Sequence, residues 1–239
     1  KAPKEVLESF DVVIGDEAHL FKAQTLKGIL EKMKTTAIRI GTTGTLDGSE
    51  VHRLQLEGLF GPVKKVITSK ELMDSGTIAN LKIDCIILRH TKQKKMTYQE
   101  EMDYLVGNDS RNQFITNLVG SLRGNTLVLF QYIEKHGQPL WEMFNPMVGR
   151  MNGTLHYVHG GTDTEDRETV REIVDSPRKK KNNVILASYG TFSTGINIKK
   201  IDNVVFASPS KSRIRNLQSI GRGLRKTTGK NEMRLFDIA

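Results

Sequence analysis

The chain of 239 residues, 37% hydrophobic and 26% charged, has room for one large or two modest globular domains with a sizeable core. Its 36 Lys and Arg against 27 Asp and Glu leave a formal charge of +9, which favours a polyanionic partner such as nucleic acid. A single cysteine, Cys85, excludes an internal disulfide and a Cys-rich zinc site, and no apolar stretch approaches membrane-spanning length. The opening Lys1-Ala2-Pro3-Lys4-Glu5 lacks the apolar run of a signal peptide, so a cytoplasmic protein away from membranes is expected.

Short Val- and Ile-rich runs alternate with amphipathic stretches, the pattern of an α/β protein whose parallel sheet is buried on both faces. In chain order the expected strands are Phe10 to Ile14, Ala37 to Ile40, Val63 to Ile67, Ile83 to Leu88, Thr126 to Phe130, Thr154 to Val158, Asn183 to Ala187, Asn203 to Ala207 and Met233 to Asp237. Cys85 falls in the fourth run and reads as a small buried hydrophobe. Helical spacing is found over Ala23 to Met33, Ser110 to Leu122, Ile133 to Phe144, Thr164 to Val174 and Ser212 to Gly221. In the last of these, Ile214, Leu217 and Ile220 recur every third residue. Asp163 or Thr164 suits an N-cap, with Glu165 and Asp166 in the first turn. A domain border is expected near Asn80 to Lys82, dividing the chain into 1–81 and 82–239. Ser176 to Asn183, with Pro177 and a basic run, reads as a loop.

Chemistry concentrates at three places. Asp16-Glu17-Ala18-His19 ends an apolar strand, where ligands lie in open α/β sheets. There Asp16 suits hydrated Mg2+ and Glu17 suits activation of a water for attack on a γ-phosphate. Gly41-Thr42-Thr43-Gly44-Thr45 follows a second strand, and if the two strands are neighbours Thr43 and Thr45 come close to the carboxylates. Gln218-Ser219-Ile220-Gly221-Arg222-Gly223-Leu224-Arg225 sets two arginines three apart, able to share one face of a helical turn and to stabilise the spread charge of a phosphoryl group. His156 and His159, with no cysteine or carboxylate pair beside them, are assigned no metal. Lys211, Arg213, Arg215 and Lys226 flank the arginine pair as phosphate contacts or solvated surface.

In this order and separation, Asp16-Glu17-Ala18-His19, Thr43-Gly44-Thr45 and Gln218-x-x-Gly221-Arg222-x-x-Arg225 resemble motifs II, III and VI of superfamily 2 helicases. Ala187 to Ile198 is similar to motif V, with Gly195 and Asn197 at its end. Gly41 to Gly48, Leu59 to Pro62, Leu127 to Phe130 and Ser188 to Ile198 resemble the recombination helicases of T-even-type phages. The resemblance implies two RecA-like lobes with parallel sheets, the first incomplete, and ATP and Mg2+ as cofactors. It implies that Asp16 binds the metal, Glu17 activates water, and His19, Thr43, Thr45 and Gln218 couple hydrolysis to movement. Arg222 and Arg225 would act as arginine fingers, with Gly195 and Asn197 also near ATP. Ser188, Thr191, Thr194 and Gly160 would meet nucleic acid. Motif VI departs from the commonest pattern at Leu224, where glycine is frequent.

A P-loop requires Gly-x-x-x-x-Gly-Lys followed by Ser or Thr, and Gly223 to Lys230 misses it by one residue and by Asn231 in the hydroxyl position. The expectation is therefore a truncated, monomeric motor, inactive as an ATPase alone, whose intact form remodels branched DNA or RNA–DNA hybrids. A non-catalytic nucleic-acid-binding module built from a helicase remains open beside it.

Overall fold

The computed structural model describes residues 3–46, 48–91, 95–151, 153–176, 182–195 and 197–239. The basic run Arg178 to Lys181 expected in a loop lies outside the described residues. The chain divides into two compact units, Lys1–Thr68 and Ser69–Ala239. The border expected at 81/82 instead falls inside a strand, because the segment before it is already tied to the second unit. Both units are α/β with parallel pairing.

In the first unit, α1 (Lys4–Glu8) precedes β1 (Val12–Gly15), then a 3-10 turn (Ala18–Lys22) and α2 (Gln24–Lys32) lead to β2 (Ile38–Gly41) and α3 (Glu50–Phe60). β1 and β2 run parallel with Gly15 opposite Gly41. Both glycines are required by packing. A Cβ on Gly15 would meet Phe60 Cζ at 2.9 Å, and one on Gly41 would meet Phe60 Cγ at 2.9 Å. The edge-to-face pair Phe21 and Phe60, 5.1 Å between centroids, thus lies directly against the strand ends from which the functional loops spring. Burial on both faces does not extend to this unit: Ile14 is 67% exposed and Ile38 51%. The strand expected over Val63 to Ile67 is absent, and Val66 is 93% exposed; an apolar run without a neighbouring strand has no ladder to join.

The second unit contains α4 (Ser69–Asp74), β3 (Asn80–Ile86), α5 (Tyr98–Val106), α6 (Asp109–Ser121), β4 (Thr126–Phe130), a π-helical turn (Ile133–Gly137) running into α7 (Gln138–Phe144), α8 (Val148–Met151) and β5 (Leu155–Val158). It continues with α9 (Thr164–Asp175), β6 (Val184–Ser188), α10 (Tyr189–Gly195), β7 (Asn203–Phe206), α11 (Arg213–Gly223) and β8 (Glu232–Ile238). Asp163 is the N-cap of α9. Among the described residues the sheet has six parallel strands in the order β3-β8-β7-β4-β6-β5. Every residue of β4, β6 and β7 is buried.

Alternation along the strands explains these continuous apolar runs, since successive side chains enter opposite cores. Leu127, Leu129, Ile185 and Ala187 pack with Val174, Phe192 and Leu224 on one face. Val128, Phe130, Val184 and Leu186 pack with Ile115, Val119 and Phe144 on the other. β3 is an edge strand, and Cys85 on it is exposed rather than buried. Among the described residues no helix is long and apolar enough to cross a membrane.

Candidate functional site

The acidic strand end is built by a turn that prolongs the β1–β2 pairing. Thr42 N–H donates to the Gly15 carbonyl at 2.9 Å, and Ala18 N–H donates to the Thr42 carbonyl at 2.8 Å. Between these bonds Glu17 adopts φ 47° and ψ 50°, the left-handed region, unlike any other non-glycine described residue. That conformation costs about 1–2 kcal/mol for a residue with a Cβ. It leaves Asp16 and Glu17 exposed while Ala18 and His19 are buried.

Asp16 Oδ1 accepts from the Glu17 amide at 2.8 Å and from the Thr42 hydroxyl at 3.1 Å, which fixes the carboxylate. A single oriented, exposed carboxylate fits Mg2+, which keeps most of its waters and takes one or two carboxylates from the protein. His19 Nδ1 lies 2.9 Å from Thr43 Oγ1 and 3.2 Å from Glu17 Oε2. The Thr43 hydroxyl donates to the Thr45 carbonyl at 2.9 Å and accepts from the Thr45 amide at 3.2 Å. Its one hydrogen is thus committed, so His19 Nδ1 is the donor toward Thr43. Strand adjacency therefore links Glu17, His19, Thr43 and Thr45 in one contact chain.

In the second unit, Ser188 ends β6 and caps α10. Its hydroxyl donates to Thr191 Oγ1 at 2.8 Å and accepts from the Thr191 amide at 3.3 Å, and both residues are buried. These hydroxyls are engaged with each other. The α10 backbone runs through Thr194 to Gly195, the Thr194 side chain lying outside what is described, and Asn197 beyond it is exposed. Gly160 sits exposed in the turn after β5, closed by Thr162 N–H to the His159 carbonyl at 3.0 Å. Arg167 braces that turn through the His159 and Gly160 carbonyls, at 3.4 and 3.3 Å. His156 Nε2 contacts Thr154 Oγ1 at 2.8 Å, and burial lowers its pKa.

Ser212 caps α11 by accepting from the Arg215 amide at 3.4 Å. The face of α11 toward the core is Ser219, Ile220 and Gly223, whereas Leu217 is 40% exposed, so the three-residue apolar repeat is not the packing face. Gln218 and Arg222 are half-buried on this helix. Arg225 does not share a helical face with Arg222: α11 ends at Gly223, and Arg225 forms an antiparallel bridge with Ile78. Leu224 explains the difference. It is 5% exposed in the core, and its carbonyl accepts from the Ala79 amide at 2.9 Å, so a large apolar residue here pins the chain as it leaves the helix.

Sequence reasoning passed over a buried polar cluster under the C-terminal ends of β4, β7 and β8. Arg111, 2% exposed, donates to the Ala207 carbonyl at 2.6 Å and the Ile238 carbonyl at 3.0 Å, and burial pushes its pKa down to about 10. His136 contacts Ser208 Oγ at 2.7 Å and Asn112 Oδ1 at 3.0 Å, and desolvation pushes its pKa down to about 3. The available signal was that Arg111 and Asn112 occupy the same helical stripe as Ile115 and Val119.

Residues 110–227 match the family model described as the helicase conserved C-terminal domain. Over its whole length the chain is 33% identical to the ATP-dependent DNA helicase uvsW of Enterobacteria phage T4, of which it covers 47%. The crystal structure of T4 UvsW aligns over 100% of this chain and 46% of that one, with 30% identity and a TM-score of 0.56. Likeness of fold alone extends to the restriction-modification enzyme LlaBIII bound to DNA, with a TM-score of 0.66 and 17% identity over 96% of this chain and 18% of that one. It extends also to the Escherichia coli DEAH/RHA helicase HrpB, with a TM-score of 0.62 and 17% identity over 96% and 28%. The chain spans under half the length of the curated relatives it matches. With this domain over 110–227 and a likeness to uvsW along the whole length, the chain carries a helicase C-terminal domain and has the helicase superfamily fold.

Proposed function

We propose that this chain is part of an ATP-dependent motor that translocates on nucleic acid and unwinds or remodels branched DNA and RNA–DNA hybrids. Its setting would be phage recombination and replication in a bacterial host cytoplasm. The reading draws on the likeness to phage T4 UvsW, and the observation that carries it is the contact chain from Glu17 through His19 to Thr43 at the end of β1. In this reading 1–68 is the C-terminal part of one RecA-like lobe and 69–239 the other.

Asp16 would hold Mg2+, which would supply charge neutralisation for the phosphates. Glu17 orients the attacking water and takes its proton as the bond from oxygen to the γ-phosphorus forms and the bond to the β-phosphate oxygen breaks. Protonation of Glu17 removes the anion facing His19 Nδ1, and His19 passes that change to Thr43 and Thr45; Gln218 is the further residue assigned to coupling. Arg222 and Arg225 stabilise the transferring group, a role that contributes roughly a thousandfold or more in rate. Gly195 and Asn197 serve the nucleotide. Ser188, Thr191, Thr194 and Gly160 follow the phosphates of the bound strand without reading sequence.

In the form of the protein that hydrolyses ATP, Glu17→Gln, Arg222→Ala or Arg225→Ala is expected to abolish hydrolysis while leaving salt-dependent DNA binding nearly intact. Equal loss of both activities in the arginine variants sinks the finger assignment. The 239 residues alone contain no P-loop sequence and are expected to show no measurable ATP turnover. DNA-stimulated hydrolysis by this chain, abolished by Glu17→Gln, would overturn that expectation.

A further inference from the structure

Lys230 is 5% exposed, an unusual place for an ammonium, and no step above employs it. It reaches its site through a tight turn. Thr227 and Lys230 form an antiparallel bridge, the Lys230 amide donates to the Thr227 carbonyl at 3.0 Å, and Gly229 supplies the positive φ of 83°. This turn sends the side chain back beneath the end of α11. There Nζ donates to the carbonyl of Gly223, the last residue of the helix, and to the carbonyl of Lys199 at 3.3 Å.

The two acceptors belong to different motifs. Gly223 lies one residue after Arg222 and two before Arg225; Lys199 lies two after Asn197. The helix-end carbonyl lacks an intrahelical partner and carries the negative end of the helix dipole, so a buried cation suits it better than a neutral donor. The loop holding Lys199 is anchored elsewhere by Asp175, which accepts from the Lys199 and Lys200 amides at 3.0 and 2.9 Å, and by Asn125, which donates to the Lys200 carbonyl at 2.7 Å. Lys230 ties that anchored loop to α11. Burial lowers the pKa of its ammonium to about 8 against the opposing pull of Asp202 and Asp175, so it is still largely charged at neutral pH.

We propose that Lys230 is a positioning residue for phosphoryl transfer, bridging the motif V loop to the end of the motif VI helix so that Asn197, Arg222 and Arg225 keep one fixed spacing. The proposal rests on the motor reading for its functional meaning but not for its structural content. Two measurements separate the two. In the 239-residue chain, Lys230→Met should raise amide hydrogen exchange at least tenfold in both 197–202 and 222–226, with β4 and β6 unchanged; Lys230→Arg, which retains charge and donors, should restore much of the protection. Unchanged exchange in either segment overturns the bridge. If Lys230→Met fails to fold, Lys230→Gln is read in the same way.

In the ATP-hydrolysing form, Lys230→Met should lower kcat about 10- to 100-fold, the usual consequence of a 1 Å misplacement, with KM within about threefold. DNA affinity should hold. Wild-type kcat in that variant, with exchange raised, overturns the positioning role. Absence of ATPase activity in every form of the wild-type protein removes the motor reading and with it the positioning role, while the exchange result still decides the bridge.

Discussion

Acid should weaken the second unit through one ring, His136. Asn112 Nδ2 donates to the Val106 carbonyl, so Asn112 Oδ1 is left to accept and His136 Nε2 carries the hydrogen toward it. Nδ1 then accepts from the Ser208 hydroxyl, whose oxygen in turn accepts from the Gln131 amide at 3.0 Å. Protonating Nδ1 would take the acceptor from the Ser208 hydrogen and place a second cation near Arg111 in a fully buried site. The folded pKa of about 3 lies below the ordinary 6.5, so between these values the unfolded chain binds a proton that the folded one refuses. Stability from this group is complete above pH 6.5 and falls with acidification at up to about 1.4 kcal/mol per pH unit. From pH 7 to pH 4.5 the loss is about 2.5 kcal/mol for His136 alone.

Carboxylates also titrate toward the lower end of that window, so the quantity to measure is a difference of differences. Urea unfolding followed by Trp141, the chain's single tryptophan, which stacks on Tyr157 in this unit, gives stability at both pH values for wild type and His136→Gln. The wild type should lose about 2.5 kcal/mol more than the variant. Equal losses, or an NMR titration of the His136 ring near pH 6.5, would refute the reasoning.

Gly41→Ala should destabilise the first unit by about 1–3 kcal/mol, because the new Cβ meets Phe60 and Ala18 at 2.9 to 3.1 Å. Limited proteolysis within 1–68 should rise while the Trp141 transition stays in place; unchanged proteolysis would contradict the packing. Glu17→Gly should raise the thermal stability of the first unit by about 1 kcal/mol, since glycine adopts the left-handed conformation without cost. Glu17→Gln should not raise it, and a gain equal to that of the glycine variant would show that charge rather than backbone conformation is responsible.

What could be read from sequence follows from which forces act locally. Thr126 to Phe130 was legible to the residue because strand burial on both faces writes itself as an unbroken apolar run. Val63 to Ile67 carries the same composition and is no strand, since pairing depends on a neighbour that composition does not record. Of the helices overlooked, two carry local signals. α5 has a capping box between Thr97 and Glu100, and α3 starts at Ser49, which accepts from the His52 amide at 3.5 Å. At the site, the residue types at strand ends were legible, but the neighbour relation that puts His19 beside Thr43 was not, because strand order depends on pairing that no local pattern records. The helix end between Arg222 and Arg225 was not, because it is set by long-range contacts from Ile78 and Ala79 to Arg225 and Leu224.

Strain and satisfaction divide the two units. The one non-glycine described residue with positive φ is also the carboxylate assigned to the water, and its neighbours Gly15, Ala18 and Thr42 hold it there with backbone hydrogen bonds that any sequence could make. A turn fixed by backbone and loaded by a side chain keeps the carboxylate outward whatever its charge. Charge-dependent movement must then pass through the side-chain contact it does make, to His19 Nδ1 at 3.2 Å. Beneath the strand ends of the second unit the arrangement is the opposite: Arg111, Asn112, His136 and Ser208 are buried, and they bond to strand-end carbonyls, to the Val106 carbonyl, to the Gln131 amide and to one another. A two-state response is therefore expected in the strained loop of the first unit, and a rigid one in the satisfied cluster of the second.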